Sequence, residues 1–187
     1  MNLWEFLKNP SVAAFVGAMS AFGLVAINDW RRQRRKARQI AYLIADNQEH
    51  ARRKREAVRE VMELLRKEHQ GVVTPIMKFQ TATIRACQQD VNDRLTANQN
   101  QALSMLVFWM EGIDAILDDS HSAMRTLRTL AMDGASAADQ TRIFQKLLQQ
   151  LSDAESNLAQ LTELMQHYVD GEPHKIVEYQ YPLTHED

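Results

Sequence analysis

Acidic and histidine side chains at helical spacing are the first candidates for chemistry in this sequence. Asp118 and His121 are three residues apart, the spacing used by the carboxylate–histidine motifs of di-iron helical bundles. Glu163 and His167 are four apart, which suits two zinc ligands on one helix face. A di-iron centre needs its motif on two helices, and the zinc-type pair has no third ligand beside it. We therefore interpret both pairs as solvated helix faces and predict no metal and no cofactor.

Other residue types that carry catalysis are equally sparse. Cys87 is the single cysteine and has no histidine near it in the sequence. We interpret it as a small buried apolar residue in a reducing compartment. Glycine-rich phosphate-binding loops are absent from the sequence. These observations predict no catalytic residue, and we expect a protein that is not an enzyme.

An uncharged apolar run dominates the N-terminal part of the chain. It extends from Pro10 to Ile27 and, with the apolar turn before it, predicts a helix of about 20 residues, which is long enough to cross a bilayer. Trp4 and Trp30 lie near its two ends, where indole rings favour the membrane interface. A buried core helix is the main alternative, because the run is rich in small residues. A signal peptide or mitochondrial presequence fits less well, since the positive charges follow the run.

A basic cluster follows the apolar run directly and predicts its orientation. Residues 1–70 hold 14 Lys or Arg against 8 Asp or Glu, whereas residues 71–187 hold 8 against 16. The positive-inside rule places the C-terminal domain in the cytoplasm and the N-terminus outside, which predicts a single-pass protein of a cell membrane, such as a bacterial inner membrane. Next to a membrane helix, anionic lipid is a better partner for such a cluster than nucleic acid. The predicted lipid-contacting residues are Arg31, Arg32, Arg34, Arg35, Lys36 and Arg38.

Small residues recur every four positions within the apolar run. Ala13, Gly17 and Ala21 would lie on one face of a helix. Small side chains at this interval allow two membrane helices to approach closely, so we predict self-association through this face. The run contains no ionisable residue, which leaves no group for an intramembrane proton or ion pathway.

Glycines, prolines and capping residues divide the rest of the chain into helices. Gly and Pro are scarce, at 6 and 4 of 187 residues, which favours long helices. We predict an all-α fold, in which an N-terminal transmembrane helix continues into a cytoplasmic antiparallel helical bundle with a coiled-coil-like hairpin. The predicted helices cover 3–70, 75–95, 97–133 and 137–170, with boundaries at Gly71, Thr74–Pro75, Thr96 with Gln99, Gly134, Ser136 with Asp139, and Gly171 with Pro173. The predicted domains are an anchor at 1–30, a basic juxtamembrane stalk at 31–70, a bundle at 71–171 and an extended tail at 172–187.

Two heptad patterns identify the hairpin. Apolar residues alternate at spacings of three and four along 103–131 and again along 144–168, which predicts two helices that pack along their length. The loop between them is short, so the two helices should be antiparallel. The seam residues predicted to form the bundle or an oligomer are Leu106, Ile113, Leu117, Leu151, Leu158 and Leu161.

Helix lengths and misplaced polar residues point to a homo-oligomer. At 1.5 Å per residue, 97–133 would span about 55 Å and 75–95 only about 30 Å, so another copy or the first helix must cover the hairpin. The polar stretch from Asn47 to Arg55 interrupts the apolar pattern of the first helix. We interpret it as a solvated stalk, with Asn47 in an oligomer seam. Trp109 falls just off the seam and is a candidate contact for a protein partner.

These patterns predict a membrane-anchored helical scaffold or adaptor that self-associates and binds a protein partner on its cytoplasmic bundle. The alternative is an oligomeric membrane effector that forms a pore or perturbs the bilayer. That plan resembles membrane-tethered effectors of bacterial defence systems in architecture alone, without a shared motif. The absence of polar pore-lining residues counts against a hydrated channel.

Overall fold

The regular structure of the chain is entirely helical wherever it is described, which in the computed structural model is residues 10–67, 77–134 and 136–179. The all-α class and the helical bundle predicted from the sequence are therefore confirmed. The elements are α1 (Pro10–Arg66), α2 (Thr81–Val91), a 3₁₀ turn (Asn92–Arg94), α3 (Ala97–Met132), α4 (Ala137–Val169) and α5 (Pro173–Val177).

Capping residues begin and end the hairpin helices where the sequence predicts. The Thr96 side chain accepts the backbone N–H of Gln99, whose side chain accepts the N–H of Thr96, which completes a capping box. Ser136 caps α4 by accepting a backbone N–H three residues on. Gly134 and Gly171 follow α3 and α4 with φ of 68° and 78°, a left-handed conformation that glycine adopts without strain.

Long-range hydrogen bonds show the order of the helices. The Gln48 side chain of α1 donates to the Thr162 carbonyl of α4, and further along α1 Arg55 contacts Glu155, so the two helices are antiparallel. α2 packs antiparallel between α1 and α3, and α3 forms the predicted antiparallel hairpin with α4. The result is an up-down-up-down bundle in which α2 is much the shortest member.

The predicted seam residues lie inside one chain. All six are at most 3% exposed and belong to a single core cluster to which all five α-helices contribute. The second half of α1 lies along α4, so the chain itself covers the long hairpin. The length mismatch therefore no longer requires an oligomer, and the predicted self-association stays a prediction.

The predicted solvated stalk is wrong for the second half of α1. Residues of α1 from Ile40 onwards pack into the core, and Asn47 is only 1% exposed. Asn47 is satisfied within the chain, because its Nδ2 donates to the Leu43 carbonyl and its Oδ1 accepts the Gln80 N–H. One face of the polar stretch is thus a buried polar layer, formed by Asn47, Gln48 and Lys54, while Glu49, Arg52 and Arg53 stay exposed. Asn47 therefore occupies no oligomer seam.

The predicted helix 75–95 is shorter than expected. α2 begins only at Thr81 and ends at Val91, and the 3₁₀ turn Asn92–Arg94 follows it before Leu95. Residues 77–80 are irregular and carry Phe79 into the core. The boundaries predicted at Gly71 and at Thr74–Pro75 lie outside the described residues.

The predicted extended tail is also corrected. Pro173–Val177 forms α5, which packs on α3 and α4 and buries Ile176 completely. The edge of the Tyr179 ring contacts Trp109 at a centroid distance of 6.0 Å, and Trp109 is only 7% exposed. Trp109 is therefore covered by the C-terminal segment of its own chain. Residues 180–187 lie outside the described range.

The buried seam predicts a large effect of core truncation. Leu158→Ala should lower the free energy of unfolding by about 2–5 kcal/mol, because the cavity cannot close fully. Urea denaturation of the full chain measures this change. Phe108→Ala is the control: Phe108 is 73% exposed, so its truncation should change stability by only about 0.5 kcal/mol. Equal effects of the two substitutions would contradict the assigned core.

Candidate functional site

The first half of α1 projects from the bundle. Every residue from 14 to 32, which we call the arm, is exposed, and this stretch is about 28 Å long at 1.5 Å per residue. Half-buried positions begin only at Gln33 and fully buried ones at Ile40. The large apolar side chains of the arm are 44–75% exposed: Phe15, Val16, Met19, Phe22, Leu24, Val25, Ile27 and Trp30.

Apolar side chains surround the arm on all sides. At 100° per residue, Phe15, Met19 and Phe22 share one face, whereas Leu24 lies on the opposite face and Val25 between them. A helix that is apolar all round is stable in water only when lipid or other protein covers it. A patch of this kind on a monomer marks a membrane or protein interaction site.

The predicted transmembrane helix overlaps the arm. Nowhere in the described residues is there a helix with a stretch both long and apolar enough to span a membrane, so the predicted transmembrane segment is not supported. Asp29 and the arginines from Arg31 onwards end the apolar part of the arm on its C-terminal side. Residues 1–9, including Trp4, lie outside the described range.

The small-residue face of the arm is open. Gly17 and Ala21 are exposed, and a Cβ added at Gly17 would meet no atom within 4 Å. The bundle therefore places no steric requirement for glycine at this position. The side chain of Ala13 lies outside the description, and self-association through this face remains a prediction.

The basic cluster forms a collar between the arm and the bundle. Five of its six predicted members are exposed, and the guanidinium of Arg34 lies over the Trp30 ring at 5.2 Å. Lys36 differs from the others, because its ammonium pairs with Asp90 of α2. This pairing lowers the pKa of Asp90, so the ion pair is present above pH 3.8 and is lost as the pH falls through the lowered pKa. The exposed members are Arg31, Arg32, Arg34, Arg35 and Arg38.

A buried ion pair connects α1 and α3 to the irregular segment that precedes α2. The ammonium of Lys54 on α1 pairs with Asp114 on α3, and the other oxygen of Asp114 accepts the Phe79 N–H at 2.9 Å. Lys54 also lies 3.9 Å from the centre of the Phe79 ring. Burial lowers the pKa of Lys54, while the hydrogen bond and charge of Asp114 oppose this shift. We call Lys54, Asp114 and Phe79 the ionic node.

Two further side chains of α1 hold the same segment. The Oδ1 of Asn47 accepts the Gln80 N–H at 3.0 Å, and the Nε2 of His50 lies 3.1 Å from the Met77 carbonyl. The edge of the His50 ring also packs against Phe79, with centroids 5.6 Å apart. Polar groups of α1 and α3 therefore fix residues 77–80, which makes this segment the anchor of α2.

A cleft of about 210 Å³ opens beside the ionic node, between α1 and α3. It lies past the beginning of α2, among described residues of α1, α3 and α4. Most of its lining is apolar, and Lys54, His50 and Arg53 contribute the charged or polar end. The apolar lining includes Val58, Val61, Leu117, Met124 and Leu151.

The pairs considered for chemistry have structural partners. Asp118 pairs with Lys78 at 2.8 Å, and this bond lowers the pKa of Asp118. The Nδ1 of His167 lies 3.3 Å from Glu172 beyond the end of α4. No group of three or more His, Cys, Asp or Glu among the described residues is placed to hold a metal ion. Cys87 is half-buried and packs against the core.

Sequence reasoning missed the ionic node, although a signal was present. The buried positions of α1 alternate at spacings of four and three straight through the polar stretch, so a strict heptad reading places Asn47 and Lys54 in the core. The pairing of Lys54 with Asp114, 60 residues away, has no signal in one sequence. The series is Ile40, Ile44, Asn47, Ala51, Lys54, Val58 and Val61.

Comparison with known proteins gives no relative. No family model, curated protein or solved structure matches the chain. Functional argument therefore rests on the geometry of the arm, the collar and the ionic node.

The ionic node predicts a strong asymmetry between single and double substitutions. Asp114→Asn should destabilise the chain by about 3–5 kcal/mol in urea denaturation, because it leaves the Lys54 ammonium buried without a counter-charge. Adding Lys54→Met should recover most of that loss. Glu111→Gln, which breaks the exposed pair with Arg85, is the matched control and should change stability little. A double variant as unstable as Asp114→Asn would refute the role of the unpaired charge.

Proposed function

We propose that this protein is a membrane-anchored helical adaptor, which acts by binding and not by catalysis. The observation that supports the proposal is the arm, whose apolar side chains are exposed on every face. One partner helix would cover only a stripe of such a surface, whereas lipid covers all of it. The arm inserts into the bilayer, and with the residues before it provides a single-pass anchor.

The collar supports the same orientation. Its five exposed arginines follow the apolar side chains immediately, as the headgroup region follows the hydrocarbon of a membrane. Arg34 over Trp30 places a cation and an interfacial aromatic ring together at this boundary. The collar binds anionic headgroups of the inner leaflet, and the bundle lies on the cytoplasmic side.

The bundle is the part that binds a protein partner. It is acidic, since residues 39–187 hold 22 Asp or Glu against 15 Lys or Arg, and is therefore not attracted to the lipid surface that the collar contacts. The alternative, an oligomer that perturbs the bilayer, stays a prediction. Its support is the open small-residue face at Gly17 and Ala21.

Membrane insertion is tested by flotation of the full chain with phospholipid vesicles. Phe22→Asp should weaken binding by about 3 kcal/mol, or roughly 100-fold, because a carboxylate enters the hydrocarbon in place of an aromatic ring. Phe108→Asp is the matched control: Phe108 is 73% exposed and Phe22 is 75% exposed, but Phe108 lies on α3. If both variants float with vesicles as well as the wild type does, the proposed membrane insertion of the arm is wrong.

The role of the collar is tested by the lipid charge. Arg31→Gln should reduce binding to vesicles containing phosphatidylglycerol by about 1 kcal/mol, roughly fivefold, and should leave binding to pure phosphatidylcholine unchanged. Arg128→Gln removes the same charge from an exposed position on α3 and serves as the control. A similar loss on both lipids, or in both variants, would contradict lipid contact by the collar.

A further inference from the structure

α2 is the least self-sufficient helix of the bundle. It has 11 residues, which is below the length at which isolated helices persist in water, and five of them are Thr, Ile, Cys or Val, which are poor helix formers. Within its described surroundings, the helix has no side-chain N-cap, no acidic residue in its first turn and no basic residue in its last turn. Only Ile84 and Val91 are fully buried, so the helix depends on its neighbours.

The contacts that hold α2 fall into two groups of unequal strength. The anchor, residues 77–80, is bound by buried polar groups of the ionic node and by Asn47. The helix itself buries only Ile84 and Val91 in the core. Its ion pairs, Lys36 to Asp90 and Arg85 to Glu111, lie at the surface. Exposed ion pairs contribute little and are screened by salt. The helix is therefore held less firmly than its anchor.

Detachment of α2 would expose a groove between α1 and α3. On α1, Ile40 and Ile44 lie between the two residues that contact α2, Lys36 and Asn47. On α3, Val107 lies between Ser104 and Glu111, which also contact α2. The groove thus has a fully buried apolar floor, a cation at the end nearest the arm and an anion on its other side.

We propose that this groove is the partner-binding site of the bundle, and that it accepts an amphipathic helix which displaces α2. The chemistry of α2 defines the partner: apolar residues seven apart like Ile84 and Val91, a carboxylate that reaches Lys36, and a guanidinium that reaches Glu111. α2 then competes with the partner helix for the same groove and lowers the apparent affinity of the groove for that partner. This inference rests on the adaptor function but not on the membrane anchor.

Detachment is tested first, by hydrogen exchange of the full chain followed by mass spectrometry. Amides of α2 should exchange at least about tenfold faster than those of α4, and salt should accelerate only the former. Arg85→Gln with Asp90→Asn should raise the rate of α2 further. Arg59→Gln, which removes an exposed ion pair between α1 and α4, is the control and should leave α2 unchanged. Exchange of α2 and α4 at one common rate would show that α2 opens only by global unfolding and would overturn the proposal.

Binding is tested with a labelled synthetic peptide of residues 81–95, which carries the contacts of α2 but not its anchor. Ile84→Asp in the full chain weakens its own α2 and leaves the groove intact, so this variant should bind the peptide at least about tenfold more tightly than the wild type in fluorescence anisotropy. A peptide carrying Ile84→Asp should not bind either protein. The Arg85→Gln, Asp90→Asn chain provides a second host should Ile84→Asp unfold the bundle.

The two outcomes separate this proposal from the membrane anchor. Failure of the peptide to bind either weakened chain overturns the groove, whereas flotation of those chains with vesicles should remain that of the wild type. If the Phe22→Asp variant no longer floats with vesicles but its groove still binds the peptide, the result supports membrane insertion of the arm and leaves the groove proposal unaffected.

Discussion

The buried pair of Lys54 and Asp114 is the constraint on which the arrangement of the helices depends. An ammonium in the core is tolerated only beside its counter-charge, so α1 and α3 must adopt the one register that brings these two residues together. A slip of one helical turn would leave both charges buried and unpaired. The second oxygen of Asp114 binds the Phe79 N–H, so the same pair also determines where the anchor of α2 meets the bundle.

The anchor of α2 divides the bundle into two halves with different properties. On the side near the arm, α2 completes a four-helix bundle and closes the groove between α1 and α3. Past the ionic node, described residues of α1 and α3, among them Val61 and Leu117, line the cleft. Both surfaces lie along α1, a continuous helix of 57 residues that also forms the arm. The arm and the α2 side of the bundle therefore share one helix, and the pair of Lys36 and Asp90 lies between them.

Local chemistry explains why much of the fold was predictable. The capping box at Thr96, the N-cap at Ser136 and the positive-φ glycines at 134 and 171 depend on neighbours within four residues, and each is found where expected. The hairpin was equally accessible, because its heptads repeat over many turns. Long-range pairing explains the failures: Trp109 is buried by Tyr179, and the tail becomes helical where it packs on α3 and α4. No local pattern records such contacts.

The sequence by itself determined the helical class, the ends of α3 and α4, the antiparallel hairpin and the apolar run with its basic collar, because periodicity, capping and charge are local properties. Tertiary structure decided the fate of the polar residues in α1. From the sequence alone, Asn47 and Lys54 are compatible with a solvated face. In the fold they are buried, because Gln80 and Asp114 provide their hydrogen-bond partners. Burial of a polar group depends on a partner distant in sequence, and only the folded chain brings the two together.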